Sequence, residues 1–158
     1  MKILIIDDDK VDRTSLKRDL KNTHLVSEII EAETGIAGIE LFKQGSFDCV
    51  LLDYYLPDKE GHEVLKKLIS IGGEYITVVA ITGTASETIP ERMIGAGAMD
   101  YLIKDEINTR ILERVLRPVL KQKKLKEEFE KQIQELTKRL EISNNKLNKL
   151  VLAAGVKL

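Results

Sequence analysis

Five short runs rich in Ile, Val and Leu, at residues 3–6, 26–31, 47–52, 76–81 and 99–103, constrain the fold of this chain more than any other feature. Several are almost continuous in apolar character, which is the pattern of strands buried on both faces. Between them lie segments with apolar residues at helical spacing: 11–22, 36–43, 63–71, 89–96, and everything from Ile107 onward. Such β-α alternation predicts a parallel sheet wrapped by helices on both faces, and right-handed crossovers leave few topologies open. The loops carry matching punctuation, with Gly35 before the second helix, Pro57 to Gly61 before the third, and Gly72-Gly73 after it.

The chain beyond these runs has a different period. Phe129, Ile133, Leu136, Leu140, Leu147, Leu150 and Ala154 follow one another at spacings of four and three, with Ser143 interrupting the series. This is a heptad seam, and flanking Lys and Glu fit solvated positions of a coiled coil. A homodimer through a 125–154 helix is expected; the alternative is that the helix folds back on its own domain. A helix from residue 119 to 155 would reach roughly 54 Å at 1.5 Å per residue. Pro118 removes one backbone hydrogen bond and clashes with the carbonyl four residues back, so a kink or break is expected there. The 158 residues then divide into one compact domain at 1–120 and a helical extension at 121–158.

Charge divides the same way. The net charge of −1 hides 15 basic against 21 acidic side chains in residues 1–118, and 10 against 5 in residues 119–158. The lysines of the basic tail alternate with glutamates, which marks a solvated helical face, so direct nucleic-acid binding is not expected. No apolar run approaches the roughly 18 residues that span a bilayer, and no membrane association is expected. Met1 to Ile6 leads straight into three aspartates, unlike a secretory signal, and the chain reads as cytoplasmic. The single cysteine, Cys49, lies in an apolar run and reads as a buried, inert thiol.

In an open parallel sheet every strand ends at the same edge, and ligands bind in the crevice beyond those carboxyl ends. Asp7, Asp8 and Asp9 follow the first run, Asp53 the third, Thr82 the fourth and Lys104 the fifth. Clustered carboxylates remain ionised together when a cation sits among them, and hard oxygen ligands describe Mg²⁺. Mg²⁺ also serves phosphoryl oxygens, and an aspartate can attack phosphorus to give an acyl phosphate. Lys104 would then neutralise one phosphoryl oxygen and Thr82 donate a hydrogen bond to another. Taken singly, Asp7 or Asp9 could cap the first helix and Lys104 could be a surface charge; four strand ends together favour the site.

The Asp7-Asp8 pair after Ile3 to Ile6, the stretch Asp53-Tyr54-Tyr55-Leu56-Pro57 with Gly61, the Thr82-Gly83 pair, and Asp100-Tyr101-Leu102-Ile103-Lys104 occur in a fixed order and spacing. In these motifs residues 1 to about 120 resemble the receiver domain of two-component response regulators. The resemblance implies a (βα)₅ flavodoxin-like, CheY-like α/β fold with strand order 2-1-3-4-5. It implies a phosphoryl group accepted on Asp53 from a histidine kinase or phosphotransfer protein, and no enzyme activity beyond that self-catalysed transfer and its autodephosphorylation. Asp8 and Asp53 would bind Mg²⁺ directly with the backbone carbonyl of Tyr55, and Asp7 mostly through water. Thr82 and Tyr101 would form the switch that reshapes the face of the fourth helix, fifth strand and fifth helix. Tyr55 and Thr84 occupy variable positions that influence how long the phosphoryl group survives.

Two departures from the family matter. Asp105 follows Lys104 where many receivers have proline, so a trans peptide is expected. The heptad helix of residues 121–158 is too short to form an output domain of its own, so output is expected through the helix or the receiver surface; the alternative is the N-terminal receiver and linker of a longer hybrid sensor kinase or other output enzyme. A Mg²⁺-dependent phosphohydrolase with an aspartate nucleophile is disfavoured, because one large family of that kind needs a second acid two residues on, where this chain has Tyr55.

Overall fold

The computed structural model describes residues 1–73, 76–83 and 88–155. Strands and helices alternate as β1 (Lys2–Ile6), α1 (Lys10–Asn22), β2 (Glu28–Ala32), α2 (Gly35–Gln44), β3 (Cys49–Asp53), α3 (Gly61–Gly72), β4 (Val78–Thr82), α4 (Thr88–Gly95), β5 (Asp100–Ile103) and α5 (Thr109–Ala153). The five strands form one parallel sheet in the order β2-β1-β3-β4-β5, as expected. By internal contacts the chain divides into two units, Met1–Leu120 and Lys121–Leu158.

Because side chains alternate along a strand, each continuous apolar run supplies two cores. Leu4, Ile6, Val50, Leu52, Val78 and Ala80 pack with Ile39, Phe42, Val64, Leu65, Leu68 and Met93 from α2, α3 and α4. Ile3, Ile5, Cys49, Leu51, Val79 and Ile81 pack on the other face with Leu16, Leu20, Leu112, Val115, Leu116 and Val119 from α1 and α5. Each fully buried Leu or Ile contributes about 1.5–3 kcal/mol, so both faces must be covered for the sheet to hold. Cys49 is buried, as its surroundings suggested, and burial pushes its thiol up to about 12.

β1 starts one residue before its apolar run, β5 one residue after, and β2, β3 and β4 start two residues later and end one residue later than theirs. The cause is that Val26, Phe47 and Ile76 pack against the cores from the preceding loops, so apolarity runs ahead of the hydrogen-bonded ladder. The shift matters: Asp53 and Thr82 are the last residues of β3 and β4 rather than the first residues after them.

The break expected at Pro118 does not occur, and α5 continues through it. Arg114, whose carbonyl loses its partner, and Pro118 itself are both exposed, so water can satisfy the freed group. The helix starts at Thr109 rather than Ile107, because Lys104–Glu106 form a 3₁₀ turn and the Asn108 carboxamide accepts from Ile111 N–H at 3.1 Å. No described residue from 121 to 155 is buried; Phe129, Ile133, Leu136, Leu140, Leu147 and Leu150 are between 54% and 68% exposed. No described helix is long and apolar enough to cross a membrane.

Candidate functional site

The ends of β1, β3, β4 and β5 converge through their register. Asp53 lies opposite Ile81, and Thr82 opposite Ile103, the residue before Lys104. Asp7 is fixed by its own N–H, which donates to the Ala32 carbonyl of β2 at 3.0 Å. Asp7, Asp53 and Thr82 are all buried, whereas Asp8 is exposed at the rim. Carboxylate oxygens of Asp7, Asp8 and Asp53 lie within 4.8 Å of one another.

Lys104 closes the pocket. Its ammonium donates to Asp53 Oδ2 at 2.7 Å and to Asp12 Oδ2 at 2.8 Å. It also lies 2.8 Å from Asp7 Oδ2, but outside hydrogen-bonding geometry, and that buried oxygen has no hydrogen-bond partner among the described residues. The other Asp7 oxygen accepts from Asp9 N–H at 2.9 Å. Burial pushes the Asp7 and Asp53 carboxyls above the usual range, against the lowering influence of Lys104. Burial alone would lower Lys104, but Asp12, Asp53 and Asp7 outweigh it and hold the ammonium above the ordinary lysine range. One ammonium among this many carboxylates leaves a negative surplus, and the buried Asp7 Oδ2, ion-paired with Lys104 but without a hydrogen bond, faces it. That donor set of hard oxygens fits a divalent cation such as Mg²⁺.

Asp9 takes the role of helix cap. Its carboxylate accepts from Val11 N–H at 2.6 Å and Asp12 N–H at 3.2 Å. Those bonds hold its carboxyl below the usual range, and it stands outside the clustered carboxylates. Gly61 is required by close approach: a Cβ there would meet the Asp53 carbonyl oxygen and Tyr54 Cα at 2.7 Å. Its N–H donates to the Tyr54 carbonyl at 2.7 Å, so the start of α3 presses directly on the backbone that carries Asp53.

Of the residues read from the sequence, Asp7, Asp8, Asp53 and Lys104 come together. Tyr55 adjoins them, with its N–H donating to Asp53 Oδ1 at 3.2 Å and its side chain exposed. Tyr101 stands apart, exposed on the edge strand β5 with Ala80 as register partner. No peptide bond among the described residues is cis, so Lys104–Asp105 is trans as expected. Thr84 lies outside the described residues.

Sequence reading missed three supports. Arg13 is buried and donates to the carbonyls of Asp7 and Asp8 at 2.7 and 3.0 Å, and to Glu31 and Glu33 at 3.1 and 2.6 Å. It ties the end of β1 to β2, and its spacing from Leu16 and Leu20 was the available signal: a base on the apolar face of α1. Asp12 reads as an ordinary acid in a first helical turn. Tyr54, buried behind Asp53, accepts from Arg92 of α4 at 2.8 Å, with Glu60 and His62 beside it.

The family model for the response regulator receiver domain matches residues 3–116. The chain belongs to the response regulator receiver family. As a receiver it is similar to the response regulator MprA of Mycobacterium ulcerans, 33% identical over 130 residues that cover 81% of this chain and 53% of the relative. The chain thus spans about half the length of the curated relatives it matches. Among solved structures it is similar to a receiver domain protein of Methanospirillum hungatei, with TM-score 0.68, 31% identity, and coverage of 78% of this chain and 96% of that one. A two-component response regulator of Clostridium difficile gives TM-score 0.69 at 28% identity, covering 77% and 96%. The receiver is followed by a long C-terminal helix, and its Asp7/Asp8/Asp53 pocket is consistent with a Mg²⁺-dependent phosphorylation site.

Proposed function

We propose that Asp53 accepts a phosphoryl group from a histidine kinase or phosphotransfer protein and so switches the partner contacts of the receiver. The observation that carries this reading is the Asp53 carboxylate itself, buried at the end of β3, gripped by Lys104 at 2.7 Å and clustered with Asp7 and Asp8. Asp7, Asp8 and Asp53, with the Tyr55 backbone carbonyl, are the groups that would hold Mg²⁺. When bound, that ion offsets the charge of phosphoryl oxygens.

In the transfer, one Asp53 oxygen forms a bond to phosphorus while the phosphorus–nitrogen bond of the donor phosphohistidine breaks. The bonding electron pair stays on the imidazole nitrogen, and the ring, protonated on its other nitrogen, leaves neutral. Lys104 then pairs with a phosphoryl oxygen, and the Thr82 hydroxyl donates to another. Tyr101, exposed on β5, is the aromatic that responds when Thr82 moves. The helix of the second unit carries the output, as a homodimer seam through residues 125–154, because its apolar row has no cover.

A small phosphodonor such as acetyl phosphate tests the chemistry. With Mg²⁺ it should label a peptide containing Asp53, and the label should be released by hydroxylamine, which cleaves acyl phosphates. A hydroxylamine-stable label, or one on another residue, would overturn the assignment.

A further inference from the structure

Lys104 is shared between two elements. It donates to Asp53 of β3 at 2.7 Å and, at almost the same length, to Asp12 in the first turn of α1. The two acceptors differ in setting: the Asp53 side chain is 5% exposed and that of Asp12 38%. Asp12 does not belong to the carboxylates whose oxygens gather within 4.8 Å, and the α1 cap is already supplied by Asp9. Its carboxylate is therefore committed to neither the metal cluster nor the helix end, and its hydrogen-bond partner is the lysine.

A phosphoryl group on Asp53 makes one carboxylate oxygen the bridging oxygen of an acyl phosphate and places about two negative charges further out, where Lys104 must follow them. An ammonium is a compact point charge with three donors on a flexible stem, so it can change acceptors by rotating about that stem. Whatever Asp12 retains of it, the phosphoryl group does not have.

We propose that Asp12 is a positioning residue that competes with the phosphoryl group for Lys104, so that it lowers phosphoryl affinity while it raises metal affinity. The second half follows from the same contact: a lysine drawn toward Asp12 holds Asp7 and Asp53 less tightly against an incoming cation. This inference rests on Asp53 being the phosphoacceptor.

The test uses the full chain and two probes, Mg²⁺ alone and beryllofluoride, a phosphoryl mimic, at saturating Mg²⁺, each followed by calorimetry. Asp12→Asn is expected to bind beryllofluoride about 3- to 10-fold more tightly and Mg²⁺ about 3- to 10-fold more weakly, the range of a partly exposed charge contact. Asp12→Glu is expected to restore both values toward wild type. In a Lys104→Met background the effect of Asp12→Asn on beryllofluoride is expected to fall to less than half, because the lysine carries it. Equal effects in both backgrounds, or a loss of both affinities together, would show a plain field or folding effect and overturn the proposal. An unchanged Asp12→Asn would overturn it too. Failure of wild type to bind beryllofluoride at all is a different result, which removes the phosphoacceptor reading and the proposal with it.

Discussion

The two units of this chain treat apolar side chains in opposite ways. In residues 1–120 the central strands β1, β3 and β4 are buried on both faces, with Ile3, Leu4, Ile5, Ile6, Leu51 and Leu52 fully enclosed. Beyond residue 120 the large apolar side chains of the heptad row are all exposed, Leu140 at 63% and Leu150 at 68%. The first arrangement is satisfied within residues 1–120; the second leaves its apolar row exposed, and the proposed homodimer seam would cover it. Ion pairs such as Glu135–Arg139 support the helix by a few tenths of a kcal/mol, which does not substitute for burial.

The sharpest break in that comparison is a matched pair of leucine truncations. Leu51→Ala is expected to cost the receiver about 3–4 kcal/mol in denaturant unfolding, the range for an enclosed leucine. Leu140→Ala should change that same transition by less than about 0.5 kcal/mol. Equal losses would mean that the helix belongs to the receiver's core. The next effect concerns the seam: Leu140→Asp is expected to weaken a homodimer by about hundredfold, roughly 2.7 kcal/mol, in sedimentation equilibrium. A wild-type chain that sediments as a monomer at every concentration would remove the dimer proposal.

A smaller effect separates stability from function inside the receiver. Burial raises the Asp7 carboxyl, so its ionised form costs stability at neutral pH, a cost that is absent at low pH and grows as pH rises through the carboxylate range. Asp7→Asn is therefore expected to raise the melting temperature without Mg²⁺ by about 3 °C, and to reduce the further rise that Mg²⁺ gives wild type. A variant that melts lower would mean that Asp7 stabilises the fold through Lys104. Smallest is the Cys49 contribution. Its thiol is pushed up to about 12 in the fold, so the unfolded chain ionises first, and stability falls as pH rises above about 9. At pH 9.5 the loss should be a little under about 1 kcal/mol, and Cys49→Ala should flatten the decline; an unchanged pH slope would place the thiol in contact with solvent.

What could be read from the sequence was set by strand ends. Asp7, Asp53, Thr82 and Lys104 are adjacent in the chain to runs whose apolar character locates them, and a parallel sheet brings such ends to one edge. The boundaries of β2, β3 and β4 came out early because Val26, Phe47 and Ile76 are core residues without being ladder residues. Arg13 and Asp12 were not legible as site residues, because their roles depend on how α1 is rotated against β1 and β5. That rotation is fixed by packing, and local spacing gives only its apolar face. The break expected at Pro118 failed for a similar reason, since the cost of the missing bond depends on whether the freed carbonyl is buried, and Arg114 is exposed. Tyr101 shows the reverse case: its strand was legible, but its outward, exposed position on an edge strand was not.

The central claim is that Asp53 is a covalent switch, and intact-mass analysis after incubation with acetyl phosphate and Mg²⁺ tests it most directly. The account predicts one phosphoryl adduct on the wild-type chain and none on Asp53→Asn. No adduct on wild type, or an equal adduct on the variant, would contradict it.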